Sequence, residues 1–361
     1  MIKPIDFLVR VSCMTYNHAN YIIDAMKGFV MQQTSFPFVC TIVDDASTDG
    51  EQEVVKKFLQ EYFPVQDTPV SYEKDMDYGY VAFSRHKTNE NCYFAVVCLK
   101  ENHLSQRKSK VPYLQEWMDT KYIAMCEGDD YWTDPLKLQS QIDYLEKHKE
   151  VGVCYTDYSR LEESKHIITH SLFELQRQYR PESYEQHLYR PGYLAPMTWV
   201  YRKELLDLLD KRGGFVDGTY MMMLEWLYHS KVGYLPIDTA VYRSHQGSAS
   251  SPKGAKKLFD YYKGVFDTQM YYANKYSCSE ELIERIKTRG YLDMLPIAVF
   301  AENDEFVKEV QTYFEAVGYD AGLIIRNLKE GKRVRESYAY KIGKFLVSPF
   351  SRIRKKCKSD C

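Results

Sequence analysis

The first part of the chain alternates short apolar runs rich in β-formers with longer segments whose apolar side chains recur at helical spacing. LVRVSCM (8–14) predicts a strand that ends in the turn-prone TYNHAN, and residues 20–33 predict a helix. FVCTIVDD (38–45) predicts a second strand closed by two acids, and residues 47–63 open with cap-forming side chains and continue as an amphipathic helix. VSYEKD predicts a third strand. Residues 72–100 show no clear period and read as a variable excursion, and 105–119 include a helix whose start Pro112 limits.

KYIAMCEGDDYW (121–132) predicts a strand running into a Gly-Asp-Asp turn. The next helix, 134–150, has Asp134 as N-cap and Pro135 at its first position. A strand at 151–161, a loop-rich stretch at 162–192, and a strand then helix at 195–212 follow. Residues 219–231 predict an apolar helix, 232–245 two short strands around a Pro turn, and the chain from about 253 onward is helical. This β-α-β-α rhythm predicts an α/β architecture with a mostly parallel, Rossmann-like sheet flanked by helices and a helical C-terminal extension. In such sheets ligands bind at the carboxyl ends of the strands, where both acidic turns lie.

Composition narrows the classes. The 361 residues carry a formal net charge of -2, which gives no reason to expect a nucleic-acid partner. The nine cysteines include no C-x-x-C pair, and several sit in apolar runs where Cys acts as a small hydrophobe. A disulfide scaffold or zinc site is therefore not expected, and a reducing compartment is. No basic segment followed by a sustained apolar stretch opens the chain, and no run reaches the ~20 apolar residues that span a bilayer. The expected location is cytoplasmic.

The chemistry concentrates in two turns. Glu127, Asp129 and Asp130 place three carboxylates within four residues, and a divalent cation, Mn²⁺ or Mg²⁺, would offset their repulsion. A solvated acidic turn capping a helix is the bland alternative. Asp44 and Asp45 form the second cluster: a carboxylate there either accepts from the N3–H of uracil or caps the helix starting near Ser47. Tyr16, in the turn after the first strand, either holds a nucleoside or simply packs.

The segments VSCMTYNHANYIIDAMKGFVMQQ, TIVDDASTDG and YIAMCEGDDYWTDPLKLQSQIDYL together resemble the inverting family-two glycosyltransferases, and within them the bacterial cell-surface polysaccharide enzymes. The resemblance runs from about residue 8 to 250. It implies an A-type glycosyltransferase fold and transfer from a nucleotide-sugar to a glycan or lipid-linked acceptor. The catalytic domain would span 1–250, with a donor half at about 1–132 and an acceptor half at about 133–250. A helical region at 251–345 and a basic tail at 346–361 would follow.

By the same resemblance, Thr15, Tyr16, Asn17 and Asp45 would contact the uridine half of the donor, with Asp44 beside them. Glu127 and Asp129 would stand at the D-x-D motif, Asp129 as main metal ligand. Asn102 matches a donor-binding position, whereas Arg107 stands where a small residue is common. His245, in AVYRSHQGSAS, would bind the metal or a phosphate oxygen, and Arg243 is a weaker candidate there. The position that usually carries the catalytic Asp is Thr219, which cannot act as a base. Asp217 is preferred in its place and Glu225 is the alternative. A nucleotidyltransferase, or a non-catalytic nucleotide-binding relative, remains open beside the transferase. The segment 340–361 mixes apolar and clustered basic residues, suited either to peripheral contact with the inner face of an anionic membrane or to a solvated tail.

Overall fold

The computed structural model describes residues 5–245 and 254–336. By its internal contacts the chain forms two compact units: Met1–Gly213 with Gly218–Ser248, and Gly214–Asp217 with the chain after Ser248. The segment 340–361 lies outside the described residues.

The first unit is built on one sheet. Its first two strands, β1 (Val9–Thr15) and β2 (Phe38–Asp44), are linked through helix α1 (Ile22–Val30), and β2 leads into α2 (Glu51–Tyr62). The excursion at 72–100 is a meander of β3 (Tyr72–Met76), β4 (Gly79–Arg85) and β5 (Cys92–Leu99). β6 (Tyr122–Met125) runs into the acidic turn, and the short β7 (Tyr131–Trp132) leaves it for α3 (Lys137–Lys147). β8 (Val151–Glu162), β9 (Ile167–Thr169), α4 (Tyr184–Tyr189), β10 (Val200–Arg202), α5 (Gly218–His229) and β11 (Lys231–Ser244) complete it.

The strand order is β3-β4-β5-β2-β1-β6-β10-β8-β11-β7, with β9 on β8. Following the pairings, β3, β5, β2, β1, β6, β8 and β11 all point one way, and β4, β10, β7 and β9 oppose them. The architecture is thus α/β with a large, mostly parallel sheet. Both faces of the central strands are covered. In β5, Phe94, Val96 and Cys98 join the larger core with α1, α2 and α3, while Ala95, Val97 and Leu99 join a second core closed by Leu114 and Trp117. A strand buried on both faces reads as a continuous apolar run without alternation, which is why β4 and β5 showed no period, whereas the mostly exposed β3 coincides with the strand expected at VSYEKD.

Four local expectations are corrected. The 105–119 segment forms two short 3₁₀ turns, Val111–Tyr113 and Gln115–Trp117, in place of a helix. After β10 the chain makes a 3₁₀ turn at Lys203–Leu206. α3 begins at Lys137 with Leu136 as N-cap, and Asp134 Oδ1 instead accepts from Leu136 N at 2.8 Å just before the helix. Residues 232–245 lie in a single long strand, β11. Its ladder with β8 is irregular between Leu235 and Asp238, so Pro236, which has no N–H to give, falls where the register breaks.

The second unit is helical: α6 (Ala255–Lys275), α7 (Glu280–Phe300), α8 (Asp304–Ala316) and α9 (Gly322–Glu336). Ser279 and Asn303 cap α7 and α8 through their side chains. Aromatic contacts such as Phe259 on Phe306, with ring centroids 5.0 Å apart, fill its interior. No helix among the described residues is long and apolar enough to cross a membrane.

Candidate functional site

Backbone pairing brings the chemistry-bearing turns together at one edge of the sheet. Thr15 pairs with Asp44 at the carboxyl ends of β1 and β2, and Asp45 N continues the ladder to Thr15 O at 3.0 Å. On the other side of β1, Cys126 N reaches Ser12 O and Gly128 N reaches Met14 O, each at 3.2 Å, so the acidic turn is an extension of β6 along β1. β7 then pairs antiparallel with β11, which lays Arg243 and His245 along the same turn.

The three acids have different surroundings. Glu127 is exposed, Asp129 is half-buried and Asp130 is buried. Their oxygens lie within 4.8 Å of one another. Asp130 Oδ1 accepts from Arg243 N at 2.8 Å, and burial, with Asp129 beside it, pushes its carboxyl well above the usual range. The Arg243 guanidinium is a clasp: it reaches Asp129 O at 2.9 Å, Asp24 at 2.7 Å and Glu163 at 3.2 Å, and lies over the rings of Tyr21 and Tyr131. These contacts hold the turn to α1 and to the end of β8.

Asp129 faces two imidazoles. Its Oδ2 is 3.1 Å from His245 Nε2 and 3.8 Å from His18 Nε2, and the three groups form a second cluster with ligand atoms within 4.8 Å. His245 stands where the family resemblance places a metal-binding His. His18 was not singled out from the sequence, although it lies in the same TYNHAN turn. Burial holds the His18 imidazole below its ordinary pKa, and Asp129 opposes that shift. The donor set fits a divalent cation: one carboxylate and two imidazoles converge, with further carboxylate oxygen close by.

Glu51 is the second residue missed. It occupies the first turn of α2, a place that reads as solvated, yet it is fully buried. The Thr15 hydroxyl donates to its Oε1, and His18 N and Ser47 Oγ donate to its Oε2, each at 2.8 Å. Burial pushes the Glu51 carboxyl up, and the donors from Thr15, His18 and Ser47 work against that. Thr15 is therefore engaged beneath the turn, between Glu51 and the His18 ring.

Among the other expected donor contacts, Tyr16 is 43% exposed, so its ring is available to a ligand. Asn17 has a left-handed backbone (φ 58), accepts from Thr48 N at 2.8 Å and, through its own N–H, donates to Ser47 Oγ at 2.8 Å. It knits the β1 turn to the β2 turn. Asp44 is fully buried, with Oδ1 accepting from Ser47 N and Gln52 Nε2. Its Oδ2 is buried with no hydrogen-bond partner among the described residues. Asp45 accepts from His103 N at 2.8 Å and Leu104 N at 3.0 Å and pairs with Lys110 at 3.0 Å. Burial raises its pKa, but those donors outweigh it and leave the carboxyl below its usual range. Asn102 donates to Asp45 O and accepts from Ser105 N, which folds the 102–110 loop over Asp45. Arg107 adopts φ 55, a conformation that favours glycine.

The two candidate bases differ in kind. Glu225 is fully buried in α5, 3.6 Å from His229 Nε2. Asp217 belongs to the second unit, is half-buried, and accepts from Tyr261 OH at 3.2 Å.

No family model matches the chain. Curated relatives are uncharacterized proteins of Mycobacterium bovis and Mycobacterium tuberculosis, 28% identical over 244 residues that cover 66% of this chain. The chain spans 59% of the length of those relatives. Among solved structures, Staphylococcus aureus TarS 1-349 in complex with UDP-GlcNAc is similar at 13% identity, covering 91% of this chain and 93% of that one, with a TM-score of 0.49. The mannosyltransferase PcManGT from Pyrobaculum calidifontis, in complex with GDP-Man and Mn²⁺, is similar at 14% identity, covering 96% and 88%, with a TM-score of 0.47. Likenesses this distant leave the functional reading to the site itself.

Proposed function

We propose that the protein is a metal-dependent, inverting glycosyltransferase that moves a sugar from a nucleotide-sugar, a UDP-sugar, to a glycan or lipid-linked acceptor in cell-surface polysaccharide biosynthesis. The observation that carries this reading is the convergence of Asp129 with Glu127, Asp130, His18 and His245 at the edge where the Thr15–Asp45 turns also end. A divalent cation, Mn²⁺ or Mg²⁺, held there by Asp129 and His245 with Glu127 and Asp130 close by, would neutralise the departing nucleoside diphosphate.

The nucleoside would lie on the other side of the same edge. The exposed Tyr16 ring suits stacking on a base. Asp44 has a buried oxygen without a donor among the described residues. Asp45 uses three of the roughly four acceptor positions of a carboxylate, which leaves one for an imide N–H. Asn17 and Asn102 shape this wall. Asp217 would take the acceptor's proton as its oxygen bonds to the anomeric carbon and the bond to the diphosphate oxygen breaks. Complete burial of Glu225 favours Asp217 over it. We place the catalytic domain at 1–250 and the reaction in the cytoplasm, with the basic 340–361 segment as the candidate membrane contact.

A second reading, a non-catalytic nucleotide-binding relative, is favoured by one observation: α5 opens on Gly218 and Thr219 with no acidic side chain in its first turn. A thermal-shift screen of UDP- and GDP-sugars with and without Mn²⁺ tests the main reading, since a bound ligand stabilises the fold by mass action. Stabilisation that needs the metal is expected, and a flat response to every nucleotide would sink it. Donor turnover separates the enzyme from the binder.

A further inference from the structure

We propose that His18 is a third protein ligand to the divalent cation, completing a two-histidine, one-carboxylate set with Asp129 and His245, and that this set selects a transition-metal ion over Mg²⁺. The inference rests on the metal-dependent reading above and deepens it.

The argument starts from hydrogen-bond direction. Glu51 is a buried carboxylate that accepts from the Thr15 hydroxyl. With its single proton committed to Glu51, Thr15 Oγ1 can only accept from the neighbouring His18 Nδ1, 3.1 Å away. In the neutral imidazole, the form that can ligate a metal, that puts the ring proton on Nδ1 and leaves Nε2 with a lone pair. Nε2 points at Asp129 Oδ2 from 3.8 Å, too far for a hydrogen bond and with no proton to make one. Two electron-rich atoms facing each other across such a gap repel unless a cation lies between them. Ring nitrogens that bind metals are commonly fixed in this manner, by a hydrogen bond from the opposite nitrogen to a carboxylate or its relay.

The spacing agrees. Ligand atoms at about 2.0–2.2 Å from a first-row ion stand roughly 3–3.5 Å apart. His245 Nε2 is already at 3.1 Å from Asp129 Oδ2, and His18 needs only a small inward movement. All three side chains retain partial solvent access, at 19%, 17% and 9% for His18, Asp129 and His245, which leaves a way in for the ion. Asp130, by contrast, has one oxygen committed to Arg243 N and is buried. The ligand set nearest to hand is therefore nitrogen-rich. Imidazole suits transition ions, whereas Mg²⁺ prefers an all-oxygen octahedron and keeps its waters.

The test uses the full chain and Mn²⁺ alone, without nucleotide. Wild type is expected to bind Mn²⁺, followed by calorimetry and by loss of the free-ion electron paramagnetic resonance signal, with Mg²⁺ competing at least roughly tenfold more weakly. Pulsed resonance on bound Mn²⁺ should show two imidazole nitrogens, and His18→Ala should leave one. His18→Ala should weaken Mn²⁺ roughly 10- to 100-fold or more, and Thr15→Val, which removes only the relay, roughly 10- to 100-fold. His18→Gln serves if the alanine variant does not fold, with circular dichroism as the check. Unchanged Mn²⁺ affinity and nitrogen count in the His18 variants, absence of Mn²⁺ binding by wild type, or Mg²⁺ bound as tightly as Mn²⁺ would each overturn the proposal. A parallel titration with UDP keeps the two readings apart. UDP binding with a His18-independent metal defeats this inference and spares the transferase. A His18-dependent Mn²⁺ site with no nucleotide affinity does the reverse.

Discussion

A Cβ placed on Gly128 would lie 2.1 Å from Thr15 Oγ1 and 2.7 Å from Thr15 Cβ. The acidic turn can follow β1 only because this residue has no side chain. Thr15 cannot give way, since its hydroxyl is tied to Glu51 and to the His18 ring. Gly128→Ala should therefore push Glu127 and Asp129 away from the β1 turn, with an overpacking cost of about 1–3 kcal/mol. The expected outcome is a lowered melting temperature together with weakened Mn²⁺ binding. Adding Thr15→Ala, which removes the nearest atom, should recover part of the stability. An unperturbed Gly128→Ala protein would contradict the close approach.

Asp129 is shared by both candidate ligand clusters, the acidic one and the histidine one. Asp129→Asn keeps the shape and removes the charge. Mn²⁺-dependent UDP affinity should fall at least roughly tenfold, equivalent to about 1.4 kcal/mol, with the fold intact by circular dichroism. Calorimetry that returns the wild-type affinity would remove Asp129 from the metal site.

Much of this site was legible in the chain, and the reasons are local. Strand ends, turn residues and acids lie together in TYNHAN, VDDAST and CEGDDYW, and the parallel register of β1 with β2 and β6 brings those three turns to one edge. Glu51 and His18 escaped notice because their roles depend on a neighbour in space. A glutamate in the first turn of an amphipathic helix normally points to water, and only the packing of α2 under the β1 turn buries it. In 72–100 only β4 and β5 were missed, for the opposite reason: strands buried on both faces carry no alternation to detect, whereas β3 falls where VSYEKD was expected to form a strand. β11 was divided at Pro236 because a proline is a turn signal locally, whereas a register break lets a long strand absorb it.

The base assignment has its own outcome. Removing a general base typically costs roughly 10²- to 10⁴-fold in rate. Asp217→Asn should lower donor turnover on that scale and leave UDP affinity unchanged. Glu225→Gln acts on a fully buried group and should register first as lost stability. If Glu225→Gln lowers turnover at unchanged stability and Asp217→Asn does not, the order is reversed. If neither affects turnover, the non-catalytic reading gains.

A last prediction concerns Lys137, which is fully buried at the start of α3. Its ammonium donates to Gln141 Oε1 at 2.6 Å and to Thr198 O at 3.4 Å and lies over the Trp132 ring at 4.5 Å, but no carboxylate among the described residues is hydrogen-bonded to it. Burial pulls its pKa down to about 7, far below an exposed lysine. The sign follows from proton counting. Between about pH 7 and 10.4 the unfolded chain holds a proton on this lysine that the folded chain has released, so stability from this group rises with pH through that window. Below about pH 7 both states are charged and the full desolvation penalty stands. Each pH unit inside the window is worth up to about 1.4 kcal/mol. Lys137→Met removes the titration. Its stability relative to wild type, from melting curves at pH 7, 8 and 9, should decline steadily as pH rises, whatever the offset caused by losing the Gln141 contact. Parallel curves for the two proteins would show that Lys137 keeps its proton in the folded state throughout.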